Sequence, residues 1–139
     1  MPLILDTGPL YASLDRSDEH HVSCRLMIET SAETLMIPAP VLVEVDFWIH
    51  ERLDPRVLVA LLTDIENGAY AVENLQPSDY ARVRQLCEHD PHAGIGFVDA
   101  AVLAIVERLD ERKLASLDRE HFGAIRPRHC DALTLLPER

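Results

Sequence analysis

Leu3-Ile4-Leu5-Asp6-Thr7-Gly8-Pro9-Leu10 opens with three consecutive apolar residues and then stops abruptly at an acid. A short apolar run bounded by turn residues reads as a buried strand. Thr7-Gly8-Pro9 then turns the chain into a helix, with Thr7 suited to its N-cap and Pro9 to its first turn. A buried strand passing directly into a helix is the unit of an α/β fold, and the rest of the chain repeats it.

Helical spacing of Val22, Leu26, Met27 and Ile28 predicts a helix over 19–30, and Leu35-Met36-Ile37 is the next strand, closed by Pro38 and Pro40. A helix follows over 41–52. Asp54-Pro55 starts another through Ile65, ended by Asn67-Gly68. Tyr70-Ala71-Val72 is a strand and Pro77-Ser78-Asp79 opens a helix towards Glu88. His89 to Gly96 reads as a loop, 97–109 as a helix, 114–117 as a strand, and Leu133-Thr134-Leu135-Leu136 as a terminal strand. The expectation is a single α/β domain over 1–139 with a central, mainly parallel β-sheet flanked by α-helices.

Acids interrupt the most apolar segments. Asp99 is the only polar residue in Phe97-Val98-Asp99-Ala100-Ala101-Val102-Leu103-Ala104-Ile105-Val106, a helix apolar all round and so expected to be buried on every side. A charge there costs several kcal/mol, on the order of a buried unpaired ion, unless a cation or dense hydrogen bonding compensates it. Asp6 closes Leu3-Ile4-Leu5, Glu44 sits inside Val41-Leu42-Val43-Glu44-Val45, and Asp118 follows Leu114-Ala115-Ser116-Leu117. Asp6 and Asp118 also suit turn or cap positions. Asp46 lies about 200° round a helix from Glu44, so only one of the two faces a common site, and periodicity does not choose.

Acids at the carboxyl ends of parallel strands stand where α/β sheets collect functional groups. An all-carboxylate set suits Mg2+ or Mn2+ and not zinc. Its natural chemistry is metal-assisted phosphodiester hydrolysis, in which the ion activates water and neutralises charge on the phosphoryl group.

The chain has 139 residues, enough to bury a core without a metal or disulfide staple. Its 47% hydrophobic and 27% charged residues are those of a soluble globular protein. No apolar run approaches the roughly 18 residues of a membrane span, and no basic, signal-like start precedes the first strand. Cys24, Cys87 and Cys130 are odd in number and form no paired motif, as in reduced thiols of a cytoplasmic protein. A net charge of −11 argues against non-specific nucleic-acid binding through a basic surface. It does not exclude a nuclease, because bound divalent ions invert the field around clustered carboxylates.

Four segments in this order resemble the PIN domain: Leu5-Asp6-Thr7-Gly8-Pro9-Leu10, Pro40-Val41-Leu42-Val43-Glu44-Val45, Gly96-Phe97-Val98-Asp99-Ala100-Ala101, and Ser116-Leu117-Asp118-Arg119-Glu120-His121-Phe122. The likeness spans essentially the whole chain and is greatest to the VapC toxins of bacterial toxin–antitoxin modules. It implies a Mg2+- or Mn2+-dependent endoribonuclease with Asp6, Glu44, Asp99 and Asp118 around the metal, and it selects Glu44 over Asp46. Thr7 matches a hydroxyl position that supports the first acid. Ser116 stands where some relatives carry another acid or a hydroxyl, which leaves the number of metal ions open. The resemblance further implies a homodimer, inhibited by a VapB-type antitoxin whose C-terminal segment crosses the active-site groove. An acidic toxin fits a partner with an Arg- or Lys-rich tail.

Arg119, Arg126 and Arg128 follow the last acid and are candidates for RNA phosphate contacts, or equally for solvated surface charges. Apolar positions on the helices over 41–52 and 55–65 suggest an antitoxin groove, with Phe47 and Trp48 as core or interface packing. Cys87-Glu88-His89-Asp90-Pro91-His92, His20-His21 and His129-Cys130 lack the paired spacing of a transition-metal site. Ser116 and His121 form no nucleophile elbow, and no P-loop or dinucleotide fingerprint is present. A haloacid-dehalogenase-like phosphatase would need an acid two positions after Asp6, where Gly8 stands. A catalytically silent PIN-like module that binds an antitoxin and modulates its hold on DNA is the remaining alternative, and the intact acid set disfavours it.

Overall fold

A computed structural model describes residues 1–89 and 94–138. Its strands are β1 (Pro2–Ile4), β2 (Thr34–Pro38), β3 (Ala71–Glu73), β4 (Lys113–Ala115) and β5 (Thr134–Leu136). β1 pairs in parallel with β2, β2 with β3, and β4 with β5. A parallel bridge from Leu5 to Ala115 joins the two sets, giving the order β3-β2-β1-β4-β5. Asp6 N–H donates to the Ala115 carbonyl at 2.9 Å, and Leu5 N–H to the Met36 carbonyl at the same distance. β1 is therefore central, which explains its unbroken apolar sequence: Leu3, Ile4 and Leu5 are all buried.

The helices are α1 (Thr7–Leu14), α2 (His21–Thr30), α3 (Ala39–Arg52), α4 (Arg56–Glu66), α5 (Pro77–His89), α6 (Phe97–Arg108) and α7 (Arg119–Ala124). Element types match the sequence expectation, with ends shifted by a residue or two, and all the described strand pairs are parallel. The short α7 starts at Asp118 as its N-cap, one of the structural roles its sequence position suited. Residues 90–93 of the expected 89–96 loop, including His92, lie outside the described residues. The N-cap position of α1 is Asp6, which makes no side-chain capping bond, and not Thr7, which is the first helical residue. Gly68, at φ +86°, follows the Asn67 C-cap of α4 in the left-handed conformation that glycine adopts freely.

α6 is the interior helix. Ala100 to Val106 are buried without exception, as its sequence demands. α5 packs along it, held by Arg82 on Glu107 at 2.7 Å and Arg108 on the buried Asp79 at 3.0 Å. The first turn departs from expectation: Phe97 is 49% exposed and Val98 and Asp99 are half-buried. This first turn lines a cleft.

Candidate functional site

The strand order reverses direction at β1. β2 and β3 lie to one side of it, and β4 and β5 to the other. At such a switch point the connections leave the carboxyl ends in opposite directions and open a crevice. The chain places Asp6 immediately beyond β1, and Asp118 after Ser116-Leu117 beyond β4, on its two walls. The two turns approach closely here. A Cβ on Gly8 would lie 3.3 Å from Leu117 Cβ, so a glycine lets the β1–α1 turn nestle against β4–α7.

The crevice is a cleft of about 530 Å³ lined by Asp6, Thr7, Glu44, Asp99 and Asp118, with Gly96 to Val98 at its α6 rim. All four sequence-selected acids thus meet, from four separate segments. α3 supplies Glu44; Asp46, turned away from it, pairs with His50 at 3.0 Å on the other side of the helix. α6 supplies Asp99 from its open first turn.

Ser116 ties the two strand-end acids together. Its hydroxyl donates to Asp6 Oδ2 at 2.9 Å and accepts the Asp118 N–H at 3.0 Å. The other Asp6 oxygen, Oδ1, is buried with no partner among the described residues, and so is the Thr7 hydroxyl beside it. Burial pushes the Asp6 carboxyl up to about 7, the Thr7 N–H opposes this, and the nearby Asp99 and Glu44 charges add to it. Asp99 is pushed up to about 6, first by burial and then by Asp118 and Glu44, with His121 opposing. Orphaned acceptor oxygens and acids that repel one another are the donor set a divalent cation satisfies. The residues present therefore fit such an ion.

His121, which the sequence offers only as a triad partner without a nucleophile elbow, reaches the cleft's acids. Its N–H donates to Asp118 Oδ1 at 3.0 Å, and its Nδ1 lies 2.7 Å from Asp118 Oδ2 and 3.3 Å from Asp99 Oδ2. Burial raises the Asp118 carboxyl, but the two His121 hydrogen bonds outweigh it and hold the group below the usual carboxylate range. The imidazole is raised in turn, chiefly by its bond to Asp118 and against partial burial. The available signal was an acid at a helix N-cap with histidine three residues on, a spacing that folds the ring back over the cap.

The arginines divide. Arg119 donates to the Pro137 carbonyl at 2.7 Å and lines a neighbouring cleft of about 690 Å³ that shares Leu117 and Asp118 with the acid site. Arg126 pairs with Asp131 at 3.2 Å, and Arg128 bonds Gln85 through its guanidinium and Glu107 through its N–H. Neither lines the acid cleft. On α3 and α4, Val43, Phe47, Val59 and Leu62 are exposed, and Arg52 covers the Trp48 ring at 4.5 Å.

A parallel α/β sheet with an acid-lined crevice at its switch point is an arrangement suited to metal-assisted hydrolysis. The PIN domain family model matches residues 3–126, and the chain belongs to that family. It is similar to Ribonuclease VapC26 of Mycobacterium tuberculosis, at 27% identity over 135 residues, spanning 97% of this chain and all of the relative. Among solved structures it is similar to VapC20 of M. tuberculosis, a sarcin–ricin loop cleaving toxin, with a TM-score of 0.77 at 20% identity, covering 88% of this chain and 94% of the other. VapBC2 of Rickettsia felis, bound to a DNA fragment from its promoter, aligns with a TM-score of 0.68 at 16% identity and 97% coverage of both chains. FitAcB of Neisseria gonorrhoeae aligns at 0.66 and 16% identity, covering 97% of this chain and 96% of that one.

Proposed function

We propose that this chain is the toxin of a type II toxin–antitoxin module, an endoribonuclease that hydrolyses RNA phosphodiester bonds with Mg2+ or Mn2+. The observation that carries the reading is the convergence of Asp6, Glu44, Asp99 and Asp118 on one cleft in a chain of the PIN family. Similarity to a ribonuclease over nearly the full length of both chains supports RNA as substrate.

In this reading the four carboxylates hold the ion, and residues 1–139 act as one PIN unit. When bound, a divalent cation supplies Lewis acidity towards the phosphodiester and lowers the pKa of water at the site. The chain's own residues do the positioning. Ser116 fixes Asp6 relative to Asp118 through its two hydrogen bonds. Thr7 offers a hydroxyl, without a partner among the described residues, beside Asp6 for orienting water. Among the described residues no side chain caps α6, and its N-terminus at the rim suits a phosphate oxygen. A strand leaving along Leu117 and Asp118 meets Arg119 next, whereas Arg126 and Arg128 contact no RNA in this path.

The partner is a VapB-type antitoxin, supported by the likeness to a VapBC assembly. The chain's charge of −11 suits a basic antitoxin segment laid over the acid cleft. The exposed apolar residues of α3 and α4 serve association, in a homodimer or with the antitoxin. No described helix is long and apolar enough to cross a membrane, and toxin and substrate meet in the cytoplasm.

Purified chain, freed of antitoxin, is incubated with total cellular RNA and Mg2+ or Mn2+ beside an Asp99→Asn variant. Metal-dependent cleavage by the wild type alone is expected. Equal cleavage by both, or none by either, would overturn the enzymatic reading in favour of a silent binding module.

A further inference from the structure

We infer that His121 is itself a metal ligand of the cleft, giving one side of an otherwise all-oxygen site a nitrogen donor and a preference for Mn2+ over Mg2+. The inference rests on the carboxylate site proposed above and adds to it a residue outside the four acids.

Nδ1 of His121, a carboxylate oxygen of Asp99 and one of Asp118 all lie within 4.8 Å of one another. The two measured separations, 2.7 Å to Asp118 Oδ2 and 3.3 Å to Asp99 Oδ2, bracket the roughly 3 Å between adjacent ligands of an octahedral ion bound at about 2.1 Å. With the two carboxylates also within 4.8 Å of each other, the nitrogen can share a single ion with both of them. A salt bridge alone would need only one carboxylate, whereas here Nδ1 sits between two.

The ring is also held in place independently of any ion. His121 belongs to the first turn of α7, and its N–H donates to Asp118 Oδ1, the cap of that helix. The backbone thus fixes the imidazole beside the acids it would join, as a ligand supported by its own helix start. Coordination through Nδ1 places the ring proton on Nε2.

The chemistry of the donor selects the ion. Mg2+ is hard, takes oxygen ligands and gives up water reluctantly, so an imidazole adds little to its binding. Mn2+ accepts carboxylates, and nitrogen donors favour transition ions over Mg2+. Asp99 interacts electrostatically with Asp6, Glu44, Asp118 and His121, and of these acids it and Asp118 are the ones in reach of Nδ1. The nitrogen therefore distinguishes the Asp118 side of the cleft from the Asp6 side.

The test uses the full-length chain without antitoxin, titrated with Mn2+ and followed by electron paramagnetic resonance, with Mg2+ as competitor. Spin-echo modulation from a directly bound imidazole nitrogen is expected in the wild type and absent in His121→Asn. The ratio of Mg2+ to Mn2+ dissociation constants should fall about tenfold in His121→Asn, mostly through weaker Mn2+ binding. Mn2+ uptake with no nitrogen modulation in the wild type, or an unchanged ratio in the variant, overturns the inference while leaving the carboxylate site standing. No Mn2+ uptake by the wild type overturns both. The wild-type spectrum decides the matter even where the variant folds poorly.

Discussion

Asp6 and Asp118 occupy equivalent places, each just past the end of a parallel strand on either side of the switch point, yet their surroundings are opposite. Asp6 is 4% exposed, has one oxygen without a partner among the described residues, and has its carboxyl pushed up to about 7. Asp118 is 33% exposed at its side chain, caps α7, bonds His121 through both oxygens, and is held below the usual range. One acid is stressed by the fold and the other is satisfied by it. The contrast separates two jobs that an acid cluster alone would merge. Burial disfavours the charge of Asp6, as in a group proposed above to meet a cation, whereas Asp118 starts α7 and is bonded by it.

The largest expected effect is at Asp6. Asp6→Asn should reduce RNA cleavage more than about 100-fold, beyond the roughly 10–100-fold cost of losing a partner of a metal ligand. The same change should raise metal-free stability at pH 7 by on the order of 2 kcal/mol, read by calorimetry, because it removes a buried charge held at a raised pKa. Asp118→Asn should also lose cleavage but move stability the other way, by up to about 1 kcal/mol given its partial exposure. A stabilised Asp118→Asn or a destabilised Asp6→Asn would erase the contrast.

Titration sharpens the same comparison. Asp6 and Asp99 have folded pKa values of about 7 and about 6 against 3.8 for an ordinary Asp, so between these limits the folded chain binds more protons than the unfolded one. Stability of the metal-free chain should therefore fall as pH rises from about 4 to about 7, and saturating Mn2+ should flatten that decline. Melting temperatures across this range, with and without the ion, check it; a rise with pH in the absence of metal would contradict the account. A smaller effect belongs to Ser116, whose hydroxyl serves both acids: Ser116→Ala should cost about 1 kcal/mol and lower cleavage about tenfold. The smallest is Arg126→Ala, which removes an exposed pair with Asp131 and should change stability by less than about 0.5 kcal/mol and cleavage not at all.

The sequence made the fold readable because the strands are short, apolar and punctuated. Leu3-Ile4-Leu5 ending at Asp6 announces a buried central strand, and the Thr7-Gly8-Pro9 turn announces the helix that follows. Asp99 was legible as a charge without an exposed face, but the helix was not buried on every side as its composition suggested. Burial of the first turn depends on what covers it, and no local pattern records that. Glu44 and Asp46 are equally plausible by periodicity, and only the packing of α3 turns Glu44 to the cleft and leaves Asp46 to His50. His121's place at the cleft went unread because it depends on α7, a six-residue helix started by the acid it contacts. Arg126 and Arg128 show the reverse: proximity in sequence to the last acid did not become proximity in space, since Asp131, Gln85 and Glu107 engage them elsewhere.

A divalent cation is proposed to bind among Asp6, Glu44, Asp99 and Asp118. Crystals of the full chain soaked in Mn2+ and measured at an energy where manganese scatters anomalously test it most directly. The account predicts an anomalous peak in the cleft within about 2.0–2.4 Å of carboxylate oxygens of Asp6 or Asp99. A cleft without a peak at saturating Mn2+, with the ion found only at other surface acids, would contradict it.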